Sequence, residues 1–306
     1  MFFIIGNPRS GTSLFRLLLT SHSNVHIPPE CGFMLWWEKK YADWTWAKNE
    51  QDLGEFLDDL YSSKKFEFWD IDRTDVAKTI MENQPDDFSS LSRQVYKVHL
   101  DKFGGNARHI GDKNNFHLHH IKELHQLFPK AKFIHIIRDG RDVATSYIDM
   151  SKIKSASDYR PRLPSDIADI ANEWKGNIEA VRNGFSALPT DLKLEIRYED
   201  LVLNTEDTLT SVCSHLGLDF EPSMLKFYEK NQSKKLEPDE FMAWKSRTKG
   251  KIDSSAIGKW KTLSQFDVST FEKHTKEILS LYNYDCLLYT SPSPRDRTRS
   301  RMPSSA

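Results

Sequence analysis

Residues Phe2 to Ser13 read FFIIGNPRSGTS. Phe2, Phe3, Ile4 and Ile5 make a short buried strand, and a loop bracketed by Gly6 and Gly11 follows it. A helix then opens near Ser10 and carries Leu14, Leu17 and Leu18. The glycine spacing and the Thr12-Ser13 pair match the phosphate-cradling pattern G-x-x-x-x-G-K-[ST], except that Thr12 stands where that pattern has lysine. In nucleoside triphosphatases the lysine reaches the outer phosphates and the next hydroxyl holds magnesium. A loop without the lysine, but with Arg9 inside it, suits a shorter anion. Backbone and hydroxyl donors of Ser10, Gly11, Thr12 and Ser13 and the positive end of the helix would hold it. The plainer alternative is an ordinary strand-turn-helix punctuated by Gly, Pro and Ser. The intact order of strand, loop and helix favours the phosphate site.

Working outward, strands are expected at Phe2–Gly6, Arg108–Gly111, Lys132–Ile137 and Leu192–Arg197, each followed by a helical pattern. Helices are expected over Ser10–Thr20, Phe33–Lys48, Thr74–Glu82, Ser89–Phe103, Phe116–Leu127, Arg141–Met150, Ile167–Phe185, Glu206–Leu216 and Val268–Leu281. Such alternation implies right-handed crossovers. The expected class is α/β: a P-loop-like three-layer fold with a central, mainly parallel sheet flanked by helices. Ligands of such sheets sit at the carboxyl ends of the strands, where both the Gly6 loop and Arg138 fall. Ser151–Pro164 and Lys230–Ser255 are polar and poorly periodic and read as surface loops able to act as lids.

The chain's 306 residues suit one large α/β domain or two small ones, and its net charge of −1 aims no field at nucleic acid or an acidic membrane. Cys31, Cys213 and Cys286 show neither metal nor disulfide spacing, which fits a reducing compartment. No apolar run approaches a membrane span, and Met1 leads straight into the first strand, so a cytoplasmic protein is expected. Leu287–Ala306 reads LLYTSPSPRDRTRSRMPSSA, without periodicity. It looks like translated vector or adaptor sequence, the alternative being a disordered basic tail. The expected division is a domain over 1–283 and a tail over 284–306. Residues 287–306 carry four arginines and one aspartate, so the rest of the chain is mildly acidic.

A second anion site is legible at Lys132–Tyr147, KFIHIIRDGRDVATSY. A buried strand delivers Arg138 at its end, and the helix after Asp139-Gly140 carries Ser146 eight residues later. An arginine and a serine so placed can grip one phosphate through charge-assisted bonds. The competing reading pairs Arg138 with Asp139 or Asp142 in a structural ion pair.

Together, Pro8-Arg9-Ser10-Gly11-Thr12 and Arg138 through Ser146 resemble the two motifs of the sulfotransferase superfamily. The resemblance extends through GDKNNFHLHHIKELHQLFPKAKFI, RYEDLV at Arg197–Val202 and GKW at Gly258–Trp260. It implies binding of 3′-phosphoadenosine 5′-phosphosulfate (PAPS) as co-substrate, with adenosine 3′,5′-bisphosphate as product and no metal. The first motif would take the 5′-phosphosulfate end and the second the 3′-phosphate. The chain looks closest to the branch of the tyrosylprotein sulfotransferases and their bacterial relatives. Glu30, 21 residues after Arg9, then matches the branch's catalytic base, and Lys113, 25 residues before Arg138, its catalytic lysine. Two departures stand out: Asn114-Asn115 replaces the usual Asp/Thr-Pro, and Met150 stands where a second basic residue is usual, with Lys152 and Lys154 nearby.

Sulfuryl transfer is an in-line displacement, a task of positioning and charge stabilisation. Glu30 is the candidate base for an acceptor hydroxyl, on a loop stiffened by Pro28-Pro29, with its pKa expected to be raised by partial burial. A helix N-terminal glutamate is the plain reading of the same residue. Arg9 and Lys113 would stabilise the sulfuryl oxygens and leaving phosphate. Arg138 and Ser146 would hold the 3′-phosphate, Tyr198 would pack on the nucleotide and Lys259 would close a lid over it. His99 and His109 are rival bases without a matching motif. His117, His119, His120 and His125 read as a solvated, partly core-facing helix rather than a zinc site. Trp36, Trp37, Trp44 and Trp46, with Phe68-Trp69, read as a core patch rather than an acceptor pocket. A P-loop kinase of small metabolites and a non-catalytic nucleotide-binding module are the alternative functions. A carbohydrate, a small alcohol and a protein tyrosine present the same nucleophile, so the acceptor stays open. A homodimer is implied by the resemblance alone.

Overall fold

Five strands run parallel in the order β2-β3-β1-β4-β5: β1 Phe2–Ile5, β2 Val25–His26, β3 His109–Lys113, β4 Lys132–Ile137 and β5 Lys193–Arg197. This is a computed structural model, and it describes residues 1–154, 157–234 and 236–284. The tail expected over 284–306 therefore lies, from residue 285 onward, outside the described residues. The α/β expectation holds: a parallel sheet with helices packed on it.

Every residue of β1 is buried, so its side chains face two cores in alternation. Phe3 and Ile5 join Phe33, Trp69, Tyr96 and Phe133 on one side. Phe2 and Ile4 join Phe15, Leu18, Ile134, Ile136 and Val212 on the other. A third cluster, Val143, Trp174 and Phe271, packs the helices Gly140–Lys152, Ile167–Ser186 and Gln265–Leu281 together. In register, Phe3 sits opposite Asp112 and Phe133, and Ile4 opposite Lys113. The carboxyl ends of β1, β3 and β4 thus bring the Gly6 loop, Lys113 and Arg138 to one edge.

Several boundaries differ from expectation for physical reasons. The first helix begins at Thr12, not Ser10, because Gly11 caps it in the left-handed region at φ 90°. The third strand runs on to Lys113, which makes that lysine a strand-end residue rather than part of a turn. The two-residue β2 and the helices Leu53–Ser62 and Tyr198–Leu203 were not foreseen. Phe33–Lys48 is not one helix: it breaks into Phe33–Trp37 and Trp46–Asn49. Between them Tyr41 and Trp44 turn into the core against Phe56 and Phe88, and that ring packing overrides helical periodicity. Phe116–Leu127 likewise divides into a 3₁₀ turn, Asn115–His119, and a helix, Ile121–Leu127. Trp44 and Trp69 are core residues, whereas Trp36 is 40% exposed.

The larger correction concerns Lys230–Ser255. It is not an open loop but a strap of short helical pieces, Phe227–Lys234, Asp239–Phe241, Met242–Lys245 and Ser246–Lys249. Glu237, Phe241, Trp244 and Thr248 are buried in it. In Ser151–Pro164, by contrast, the described residues after Lys152 are largely irregular, as the composition implies.

Candidate active site

The loop after β1 is shaped for close approach. Arg9 has φ 65° and Gly11 φ 90°, the left-handed turns that aim successive backbone N–H groups into one concavity. The first-turn N–H groups of Thr12, Ser13 and Leu14 have no intrahelical acceptor. A Cβ on Gly11 would fall 2.4 Å from the Tyr198 ring, and one on Gly6 2.9 Å from the Ile136 carbonyl. Backbone strain and ring displacement together predict that Gly11→Ala costs about 2–3 kcal/mol of stability, read as a lowered urea midpoint. An unchanged midpoint would show that the loop tolerates another geometry.

Cations converge on this loop from several elements. Arg9 donates through Nε to Ser146 Oγ at 3.0 Å and through Nη1 to the Trp244 carbonyl at 2.9 Å. Burial, followed by repulsion from Arg138, pulls the Arg9 guanidinium down to about 10. Arg138 donates to the Arg9 carbonyl at 2.9 Å and the Ala256 carbonyl at 2.6 Å, and lies 4.6 Å over the Tyr198 ring. It forms no ion pair with Asp139 or Asp142. Asp139 instead pairs with Arg141 at 2.8 Å, and Asp142 accepts the Gly258 and Trp260 N–H groups at 2.8 Å each. Buried Ser10 Oγ and Arg138 Nε have no partner among the described residues. One unsatisfied donor in each motif fits a site built for two anions.

Glu30 lies across the same cleft, held by a collar of lysines. Lys113, buried at the end of β3, pairs with Oε1, and Lys65 pairs with Oε2 at 2.8 Å. Lys245 of the strap stands 3.8 Å from Oε1. Burial alone would push the Glu30 carboxyl up, as expected from its sequence setting. The three lysines outweigh it and hold the group well below the usual carboxylate range, so the expected rise in pKa is corrected to a fall. Burial pulls Lys113 down to about 8, against the opposing pull of Glu30.

A cleft of about 300 Å³ is lined by Arg9, Gly11, Thr12, Ser13, Glu30, Lys113, Arg138, Ser146, Tyr198 and Lys259, with Ser10 buried behind the loop. Ten of the eleven residues singled out from the sequence thus share one surface. Ser146 meets Arg9 directly rather than Arg138, and Lys259 is paired with Asp149. The cleft also contains Lys65, Lys245, Arg247 and Lys251, which sequence reading missed. Arg247 and Lys251 make no ion pair among the described residues. Their segment had no periodicity to place them, and Lys65 lies at an unforeseen positive φ of 72°.

The rival bases are elsewhere. His99 is buried against His26, with ring nitrogens 2.7 Å apart, and His109 opens the third strand; neither lines the cleft. His117 is fully buried edge-on to Phe3, on the core-facing side of this segment, while His119 is exposed. No cluster of three or more His, Cys, Asp or Glu side chains able to hold a metal occurs among the described residues. None of Trp36, Trp37, Trp44 and Trp46 lines the cleft. The apolar lining of the cleft comes instead from Met150, Ile153, Tyr159, Phe241 and Trp244.

A model of the sulfotransferase family matches residues 2–222. Among its relatives, protein-tyrosine sulfotransferase 2 of Gallus gallus is 25% identical over 75% of this chain and 54% of its own length. A putative protein-tyrosine sulfotransferase of Caenorhabditis briggsae is 25% identical over 93% and 89%. The chain spans about half the length of the first of these relatives. In fold it matches the sulfotransferase domain of the curacin biosynthetic pathway, with a TM-score of 0.60, 23% identity and coverage of 93% of this chain and 98% of that one. The sulfotransferase domain of a Synechococcus olefin synthase matches at a TM-score of 0.60 and 20% identity over 93% and 94%.

Proposed function

The chain belongs to the sulfotransferase family, and we propose that it moves a sulfuryl group from PAPS to an acceptor hydroxyl by in-line displacement, with Glu30 as general base. The observation that carries this reading is the meeting of Glu30 and Lys113 with two arginine-bearing anion loops in one cleft. PAPS would supply the sulfuryl group and a phosphate leaving group. The backbone of residues 10–13 would hold the 5′ end, while Arg138, with Ser146, would hold the 3′-phosphate that distinguishes this nucleotide from AMP. Tyr198, already packed on Arg138, would flank the adenosine.

Glu30 would take the acceptor's proton as its oxygen bonds to sulfur. Arg9 and Lys113 would stabilise the charge that grows on the leaving phosphate, and their N–H groups are held in place by Ser146, the Trp244 carbonyl and Glu30, which would lower the cost of reorganisation. Lys259, on the turn that Asp142 anchors, would close over the phosphates. Among the described residues no helix is long and apolar enough to cross a membrane. Cys31 and Cys213 are free and buried, which supports the proposal of a reducing compartment such as the cytoplasm.

Lys113 sets the pH dependence on the alkaline side. It is protonated below about 8 and loses its charge above that value. Turnover should therefore fall as pH rises through about 8, and Lys113→Arg should carry activity to higher pH. A flat profile to pH 10 would remove Lys113 from the mechanism. The function itself is tested by incubating the chain with ³⁵S-labelled PAPS and a tyrosine peptide, a simple phenol, a sugar and an aliphatic alcohol. Labelled product is expected from at least one. Phosphoryl transfer from ATP and magnesium instead would establish the kinase alternative.

A further inference from the structure

Arg16 interrupts the apolar run Leu14-Phe15-Arg16-Leu17-Leu18-Leu19, and its side chain is 2% exposed. A buried guanidinium is tolerated only where its donors are satisfied. Nη1 donates to the carbonyls of Ile27 and Pro28, at 3.2 and 3.4 Å, just before Glu30. Nη2 donates to the Leu236 carbonyl at 2.6 Å and to Glu237 Oε1 at 2.8 Å. The other oxygen of Glu237 accepts from Lys245 at 2.8 Å, and Lys245 stands 3.8 Å from Glu30. A row of alternating charge, Arg16, Glu237, Lys245, Glu30 and Lys113, thus crosses from the first helix to the end of β3. One helix ties down both the backbone that leads to Glu30 and the strap that covers it.

Two carboxylates compete for the Lys245 ammonium, and Glu237 holds it at hydrogen-bond distance while Glu30 does not. We propose that Glu237 is a positioning residue of the transfer site: it draws Lys245 off Glu30 and so leaves that carboxylate able to receive the acceptor's proton. The proposal rests on the reading of Glu30 as base. It also ties the base to the anion loop, since Arg9 holds the carbonyl of Trp244, the residue before Lys245.

The charged groups around the pair are few enough to name. Lys65 and Lys113 touch Glu30, while Lys245 and Glu237 approach from the strap and Arg16 from the first helix. Asp112, beside Lys113, accepts a hydrogen bond from Tyr96, and burial pushes its carboxyl up to about 7. His117 is kept neutral near physiological pH by burial, which pulls it down to about 3. Besides burial and Glu30, Lys113 feels Lys245, which lowers its pKa, and Glu237, which raises it.

Those opposite signs supply a test that loss of structure cannot imitate. The Lys113 side chain is titrated by ¹³C-lysine NMR in the full chain, with its resonance assigned through Lys113→Arg. The midpoint near 8 should fall in Glu237→Gln and rise in Lys245→Met. Turnover should drop about tenfold in Glu237→Gln and recover in the double variant Glu237→Gln/Lys245→Met. Midpoints that do not move, or move the same way, overturn the proposal, as does a double variant no better than the single. If Glu237→Gln does not fold, Glu237→Asp, which keeps the charge but shortens its reach to Lys245, decides: lowered turnover that Lys245→Met restores supports the proposal, and unchanged turnover refutes it. Glu30→Gln separates this from the underlying reading. Retained turnover in that variant removes the base itself, whereas its loss together with unmoved midpoints removes only the role of Glu237.

Discussion

Glu30→Gln should lower kcat by about 10³-fold while leaving the affinity for adenosine 3′,5′-bisphosphate the same or better, a loss in the ordinary range for a general base. The substitution keeps size and hydrogen-bonding capacity but removes the carboxylate proposed to take the proton. It also removes the negative charge that Lys113, Lys65 and Lys245 now surround. Three lysines left facing one another attract an anionic nucleotide more strongly, so kcat and binding part company. Calorimetry with the bisphosphate and a labelled transfer assay read the two separately. A kcat within about tenfold of the parent would mean that Glu30 is only an ion-pair partner. A parallel loss of kcat and binding would mean that the substitution had collapsed the cleft. The lowered pKa of Glu30 makes it a weak base as it stands, surrounded by lysines. On the proposed mechanism turnover would require the collar to loosen as the acceptor enters, which gives the placement of Lys245 its weight.

Arg138→Ala has the second large effect, and it lies in discrimination rather than rate. A hydrogen bond to a charged group contributes about 1.5–3 kcal/mol, so loss of this arginine should weaken adenosine 3′,5′-bisphosphate binding by about 10- to 100-fold. AMP, which lacks the 3′-phosphate, should bind about as before. The ratio is the informative quantity, because Arg138 also fixes the Arg9 and Ala256 carbonyls. A general loosening of the loop would weaken both ligands alike and leave the ratio untouched. In that event Arg138 would be a structural strut, and the 3′-phosphate would have to be sought against Arg247 and Lys251.

What could be read from the sequence followed from local rules. The strand-loop-helix at Phe2–Thr20 needs no distant contact, since its apolar run, glycine spacing and helix lie within twenty residues. Arg138 is legible as a strand-end residue because Phe133, Ile134, Ile136 and Ile137 form a short apolar-rich strand that leads straight into it. Glu30 and Lys113 come from spacing in a resemblance, and only the sheet register, which pairs Val25 and His26 of β2 with His109 and Ile110 of β3 and so brings both strands out at the same end, explains how residues 83 apart in sequence come to touch. Local rules failed where long-range packing decides. The strap at 227–249 has weak periodicity and folds because Arg9, Arg16 and Glu30 give its polar groups partners. Arg16 carried a signal that was passed over: a lone charge inside an apolar helical run must be satisfied by something distant. The fall in Glu30's pKa was invisible for the same reason, since two of its three lysines come from unmatched segments.

The central claim is that one cleft holds a nucleotide by two separate phosphates, with Glu30 and Lys113 between them and the acceptor. Titration calorimetry of the purified chain with adenosine 3′,5′-bisphosphate and with AMP, in the same buffer, tests it most directly. The account predicts at least tenfold tighter binding of the bisphosphate, by the contribution of one charged contact. Equal affinity for the two would contradict it.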